Sequence, residues 1–176
     1  SGAKGLLVAV YVDRAQEDLL LELADTAGAC GFDVVAGIEA VAEHCIARQY
    51  ATGRPDSVDA AQLEGFAKEI AEKMATPTAA RPAIPGNRPY KKAGKGLVPK
   101  TTSSCGKCGL CARKCPVGAI DKADPTRIDK SKCITCMRCV SLCPRGARKV
   151  NSLLVKIVGW VLKKPCGTPK ENKLYL

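Results

Sequence analysis

Aromatic side chains make up only 4% of this 176-residue chain, and it holds one histidine, His44, and one tryptophan. Between Cys105 and Cys143 there is no aromatic residue. Modules that grip single strands stack bases on aromatic rings, so nucleic acid is not an expected partner despite a net charge of +11. A run long enough to cross a bilayer is also missing. Residues 153–162 are apolar but interrupted by Lys156, and a spanning helix needs about 20 such residues. The first twelve residues lack the order of basic region, apolar stretch and cleavage site that marks a leader. A cytoplasmic, reducing setting is therefore expected, and disulfides are not.

Acidic residues are scarce in one part only. Residues 1–76 carry 6 Lys/Arg and 13 Asp/Glu, a net of −7, whereas residues 77–176 carry 22 and 4, a net of +18. Such asymmetry implies two modules and a negatively charged partner for the second.

Cysteine is abundant, with eleven in all. Cys105, Cys108, Cys111 and Cys115, followed by Pro116, read C-x2-C-x2-C-x3-C-P. Cys133, Cys136, Cys139 and Cys143, followed by Pro144, repeat the pattern 28 residues on. This is the bacterial ferredoxin run, whose fourth cysteine serves the other cluster. The expected ligand sets are Cys105, Cys108, Cys111 and Cys143 for one [4Fe–4S] cluster, and Cys133, Cys136, Cys139 and Cys115 for a second. The prolines turn the chain away from each cluster. Zinc is the rival, since C-x2-C pairs also form zinc knuckles. Zinc sites use two pairs, however, not three evenly spaced cysteines plus C-P. Part of the positive charge offsets the clusters, each a dianion with its four thiolates when oxidised.

Residues 1–76 predict an α/β segment. The apolar run 6–12 reads as a strand buried on both faces. Residues 16–29 read as a helix with Leu20, Leu23, Ala24 and Ala27 on one side, and 32–37 as a short second strand. Asp56 or Ser57 can cap a last helix carrying Leu63, Phe66, Ala67, Ile70 and Met74. Strand, helix, strand, helix implies a parallel sheet. Two strands do not make a stable sheet, so the segment is expected to be the back half of a larger domain. Its first strand should pair with a second polypeptide, or be covered by the linker and tail, for which the stretch 153–162 is the best candidate.

Residues 77–104, with Pro77, Pro82, Pro85, Pro89 and Pro99 and the lysines Lys91, Lys92 and Lys95, predict a basic linker running over the surface. Residues 105–150 form the expected two-cluster domain, with a short hairpin between 119–120 and 127–128. Residues 151–176 are expected to be a helix and tail, the helix packing on its own chain. The alternative is contact with a partner or an anionic membrane surface through 153–164, where Lys163 and Lys164 would meet headgroups. His44 reads as a structural histidine, and Cys30, Cys45 and Cys166 as small hydrophobes outside the motif.

The chain resembles the C-terminal two-thirds of flavodoxin–ferredoxin fusion proteins of anaerobic bacteria. The resemblance rests on both cysteine runs, residues 11–14, Ala42-Glu43-His44, Gly53-Arg54-Pro55-Asp56 and residues 85–90. It implies a partial flavodoxin-like α/β segment followed by an α+β two-cluster ferredoxin domain. It also implies that the loop Tyr11, Val12, Asp13 and Arg14 flanks a flavin. The phosphate-cradling strand–turn–helix of that fold is not in this sequence, and Val12 stands where the family favours glycine. FMN is therefore not expected on this chain alone.

The expected function is low-potential, one-electron transfer, with an acidic redox protein or a flavoprotein as partner. The alternative is a structural iron–sulfur protein that organises a complex without redox turnover.

Overall fold

The computed structural model describes residues 2–14, 16–75, 80–92, 94 and 96–176. Pro77 and Lys95 of the expected linker lie outside the described residues. The elements are β1 (Ala3–Tyr11), α1 (Leu19–Ala29), β2 (Phe32–Val41), α2 (Ser57–Ala75), β3 (Lys100–Thr101), α3 (Leu110–Arg113), α4 (Arg138–Ser141), β4 (Arg148–Lys149), α5 (Ser152–Leu162) and β5 (Lys173–Tyr175). They divide into two units. One holds Ser1–His44, Arg48–Ala93 and Leu162–Leu176, the other Cys45–Ala47 and Gly94–Val161.

In the first unit β1 and β2 pair in parallel, as the element order requires. β2 runs ten residues, longer than the short strand expected. β5 adds to its far edge in antiparallel fashion, with Leu174 opposite Ile38. The sheet is therefore mixed, and its third strand comes from a tail that gave no strand signal. Three residues are too few to show a period of two. Asp56 caps α2, its carboxylate accepting from the N–H groups of Val58 and Asp59 at 2.8 and 3.0 Å. Ala36, Ile38, Ala40 and Ile70 form a buried cluster flanked by Leu63, Phe66 and Leu174. Leu20 of α1 is fully buried and lies over the other face, close to Gly37.

One expectation fails here. Residues 6–12 are not buried on both faces: Leu6, Val8 and Val10 are 49%, 48% and 61% exposed. They stand opposite Ala36, Ile38 and Ala40, whose side chains α2 buries. The helix covers the central strand and stops short of the edge strand, so the apolar face continues into the open.

The segment 85–91 is fastened to α1 rather than free. Asp18 accepts from the N–H groups of Asn87 and Lys91 at 2.8 and 2.9 Å. Arg88 grips Asp25 with two hydrogen bonds of 2.8 and 2.6 Å.

In the second unit the 28-residue repeat becomes geometry. α3 and α4 are equivalent. Lys107 and Thr135 take φ of 51° and 53°, Gly109 and Met137 take 71° and 57°, and Gly118 and Gly146 take 61° and 56°. Each pair is 28 residues apart. Ile120 bridges Ile128, the hairpin contact expected between 119–120 and 127–128. The corresponding contact of the second repeat is β4 against β3. β3 and the fully buried Pro99 fall in the stretch read as linker, so its last residues belong to this unit. The helix expected near 153–162 forms as α5. Many of its apolar side chains stay open, Trp160 at 77%, so among the described residues the expected packing on its own chain is at most partial.

A buried pair holds the first unit's C-terminal segment in place. Arg54 binds Asp59 through two nitrogens, one bond being 2.8 Å, and Asp59 also accepts from Asn172 at 2.8 Å. The amide oxygen of Asn172 accepts from the Val41 N–H at 2.7 Å. The Arg54 guanidinium holds the Asp59 carboxyl well below the usual carboxylate range, against the opposing effect of burial. Asp59→Ala should cost about 3 kcal/mol in denaturant unfolding, because it leaves a largely shielded arginine with only the more distant carboxylate of Asp13, 3.9 Å away, as ion partner. A carboxyl depressed on folding stabilises above its unfolded pKa. The contribution should be complete above about pH 5 and lost as pH falls below about 4. Equal acid sensitivity in Asp59→Ala and the parent would contradict this.

Candidate metal centre

Each cysteine run lies on a tight loop whose direction is set by left-handed residues. Lys107 and Gly109 stand between the first three cysteines, as Thr135 and Met137 do in the second run. The three cysteines of each run line one cavity, Cys108 and Cys136 being the exposed members. The fourth cysteine follows the short helix.

Two cavities result. One is lined by Cys105, Cys108, Cys111 and Cys143, the other by Cys115, Cys133, Cys136 and Cys139. The fourth cysteine of each run thus faces the cavity of the other. Among the described residues, no three His, Cys, Asp or Glu side chains converge closely enough for a single ion. The thiols surround a space instead.

The donors around them suit thiolates. The Ala119 N–H donates to Cys115 Sγ at 3.3 Å, and its counterpart Ala147 donates to Cys143 Sγ at 3.2 Å. Burial alone would push the Cys115 thiol up, but the N–H groups of residues 117–120 outweigh it and bring the pKa below the usual value. At Cys143 burial is likewise outweighed, by the N–H groups of Ala147, Arg145 and Arg148 and by the Arg148 charge. Burial pushes the Cys139 thiol up, and its neighbours Cys111, Cys133 and Cys136 add to that while Arg148 opposes. Four like-charged thiolates crowded together need a cation to bridge them, and an iron–sulfur core supplies one.

Arg148 lines the first cavity and is 2% exposed. Its Nη2 donates to the Pro125 carbonyl and lies 3.9 Å from Cys111 Sγ. Its Nε and Nη1 are buried without a hydrogen-bond partner. These orphaned donors sit against the thiol cavity, as expected where an anionic group belongs. Nothing in the cysteine pattern itself singles out Arg148. The 28-residue register is the signal that marks it, because it occupies the position of Ile120.

The other candidate residues lie elsewhere. Tyr11 ends β1 and donates through its hydroxyl to the Glu171 carbonyl at 3.2 Å. Val12 follows it, half-buried. Asp13 is buried and accepts from the Lys170 N–H at 3.1 Å. Arg14 is exposed and pairs with Glu17 at 2.7 Å. Tyr11 and Asp13 are thus committed to the chain's own C-terminal segment. His44 lies in the loop after β2, its N–H donating to the Tyr50 carbonyl at 3.2 Å, and burial lowers its imidazole pKa. Cys30 is exposed at the end of α1, Cys45 is exposed and Cys166 is buried. None of the three lines either thiol cavity.

Residues 104–147 match the family of 4Fe-4S dicluster domains. Over 61 residues the chain is 41% identical to a probable iron–sulfur subunit of the Frd operon of Proteus vulgaris. That match covers 33% of this chain, which spans 39% of the relative's length. No solved structure matches. Both matches point to 4Fe-4S chemistry and to electron transfer, and they fall on a mixed α/β chain with a ferredoxin-type domain. Among the described residues no helix is long and apolar enough to cross a membrane.

The second loop depends on a close approach. A Cβ at Gly96 would collide with Oγ1 of Thr135 and sit 2.8 Å from its Cβ. Thr135 is itself left-handed between Cys133 and Cys136. Gly96→Ala should therefore displace this loop, at about 1–3 kcal/mol of overpacking cost. Faster loss of iron from the loaded protein under chelator challenge would register the change. An unaltered rate would show that the loop yields without cost.

Proposed function

We propose that this chain carries electrons one at a time through two [4Fe–4S] clusters. Cys105, Cys108, Cys111 and Cys143 hold one, and Cys133, Cys136, Cys139 and Cys115 hold the other. The observation that carries the proposal is the sorting of eight cysteines into two cavities with their fourth members exchanged. A bound [4Fe–4S] cluster supplies a one-electron couple whose potential follows charge, hydrogen bonding and exposure. The protein's own part is to hold and tune. The N–H groups of Ala119 and Ala147 favour the thiolate form of two ligands. Ile120, Ile128, Pro99 and Met137 wall the second cavity and limit water there. A lone zinc ion needs its ligands within about 2.3 Å of one point, which thiols spread around a cavity do not offer.

Residues 105–150 serve in this proposal as the electron-carrying domain, with 77–104 as connector and 151–176 as helix and tail. Residues 1–76 serve as part of a flavodoxin-like α/β domain, supported by the parallel β1–α1–β2 unit. The loop from Tyr11 to Arg14 is not assigned a flavin on this chain alone, because Tyr11 and Asp13 are engaged internally. The partner proposed is an acidic redox protein, since residues 77–176 carry a net +18.

The protein prepared without oxygen should contain about eight iron and about eight labile sulfide per chain. Cys115→Ser should damage the cluster of Cys133, Cys136 and Cys139 and spare the other. Two zinc ions without sulfide would sink the electron-carrier reading, and loss of the Cys105 cluster alone would refute the exchange. Reversible reduction of the loaded protein separates a carrier from a merely structural role.

Reduction by an acidic donor protein should slow steeply between low and high salt, because exposed charges are screened beyond about 8–10 Å at ordinary ionic strength. A rate indifferent to salt would remove the acidic partner.

A further inference from the structure

The two cavities are alike in their cysteines, and among the wall residues that differ one is a buried charge. Ile120 lines the second cavity and Arg148 lines the first. The two positions are 28 residues apart, and both side chains are buried, at 3% and 2% exposure. A guanidinium taken out of water without a partner is costly. Among the described residues Arg148 has no carboxylate within ion-pair distance, unlike Arg54 or Arg88. Its Nε and Nη1 find no acceptor, and its Nη2 stands 3.9 Å from Cys111 Sγ. Its Nη2 also donates to the Pro125 carbonyl, and its charge reaches the thiol of Cys143 in this set as well as that of Cys139 in the other.

Other cations also border the cavities. Lys107 and Arg145 line the first and Arg138 the second. All three are exposed, so water and salt screen them. Arg148 is the buried one, in the low-dielectric setting where a charge acts most strongly.

We propose that Arg148 is the internal counter-ion of the cluster held by Cys105, Cys108, Cys111 and Cys143, and that it makes this cluster the more readily reduced of the two. This rests on the two-cluster reading above. Reduction brings one electron from an external one-electron donor, which is oxidised in turn. No bond forms, no proton moves and Arg148 keeps its charge. The added negative charge is stabilised more beside a buried guanidinium than beside Ile120. An electron entering the chain therefore comes to rest on the Arg148 side, and the two sites form a directed pair.

The test is a potentiometric titration of the loaded protein, followed by electron paramagnetic resonance, with iron and sulfide counted in each sample. The parent should show two midpoints, with at least a tenfold preference for one site, which is about 59 mV for a one-electron couple. Arg148→Met keeps bulk and removes charge, so it should lower the upper midpoint and shrink that preference at least tenfold. Arg148→Lys should retain most of it. A single wave in the parent would overturn the proposal, as would a full-iron Arg148→Met whose midpoints do not move. If Arg148→Met loses iron, Arg148→Lys decides: full iron with the separation kept supports the counter-ion, and full iron with the separation gone refutes it. A parent without iron and sulfide would instead overturn the two-cluster reading itself.

Discussion

Neither cysteine run closes its own cavity. Cys143 completes the wall begun by Cys105, Cys108 and Cys111, and Cys115 completes the other. Much of the second unit follows from this exchange. The segment after each run pairs in antiparallel fashion with the segment before the other, Ile120 with Ile128 and β4 with β3. The fourth cysteine must stop at the mouth of the neighbour's cavity, so the chain turns at Gly118 and Gly146 and sends an N–H back to sulfur. Few large apolar side chains are needed, because the walls include small or branched residues such as Ala119, Ala147 and Ile120. Local economy is possible only because each half supplies what the other lacks.

The first unit is ordered by different means. Its apolar cluster is small, and polar anchors hold the pieces around it. Asp59 collects Arg54, Asn172 and its own helix start, while Asp18 and Asp25 collect the segment 85–91. These are short-range, directional contacts between segments far apart in sequence. They explain why a stretch rich in proline and glycine can follow a defined path. It is held by specific acceptors on and just before α1 rather than by a regular ladder.

Legibility followed the same division. The cysteine spacing, the hairpin at 119–128, the Asp56 cap and the stripe of Leu63, Phe66 and Ile70 could be read directly, because each is a local pattern with a fixed period. The exposed face of β1 was not, since Leu6, Val8 and Val10 are the same residues whether or not a helix reaches them. β5 was hidden because its pairing is decided by β2, more than 130 positions away. Arg148 was hidden because, counted as charge, it looks like one of many surface cations. Only its register with Ile120 sets it apart.

The place of β5 has a consequence for synthesis. The chain leaves the first unit after the segment 85–91, makes all of the second unit but Cys45–Ala47, and then returns to lay down a third strand. Until the residues of β5 emerge from the ribosome, β2 lacks its antiparallel neighbour and Asp59 lacks Asn172. Of the two units, the α/β part is thus translated earlier and finished later.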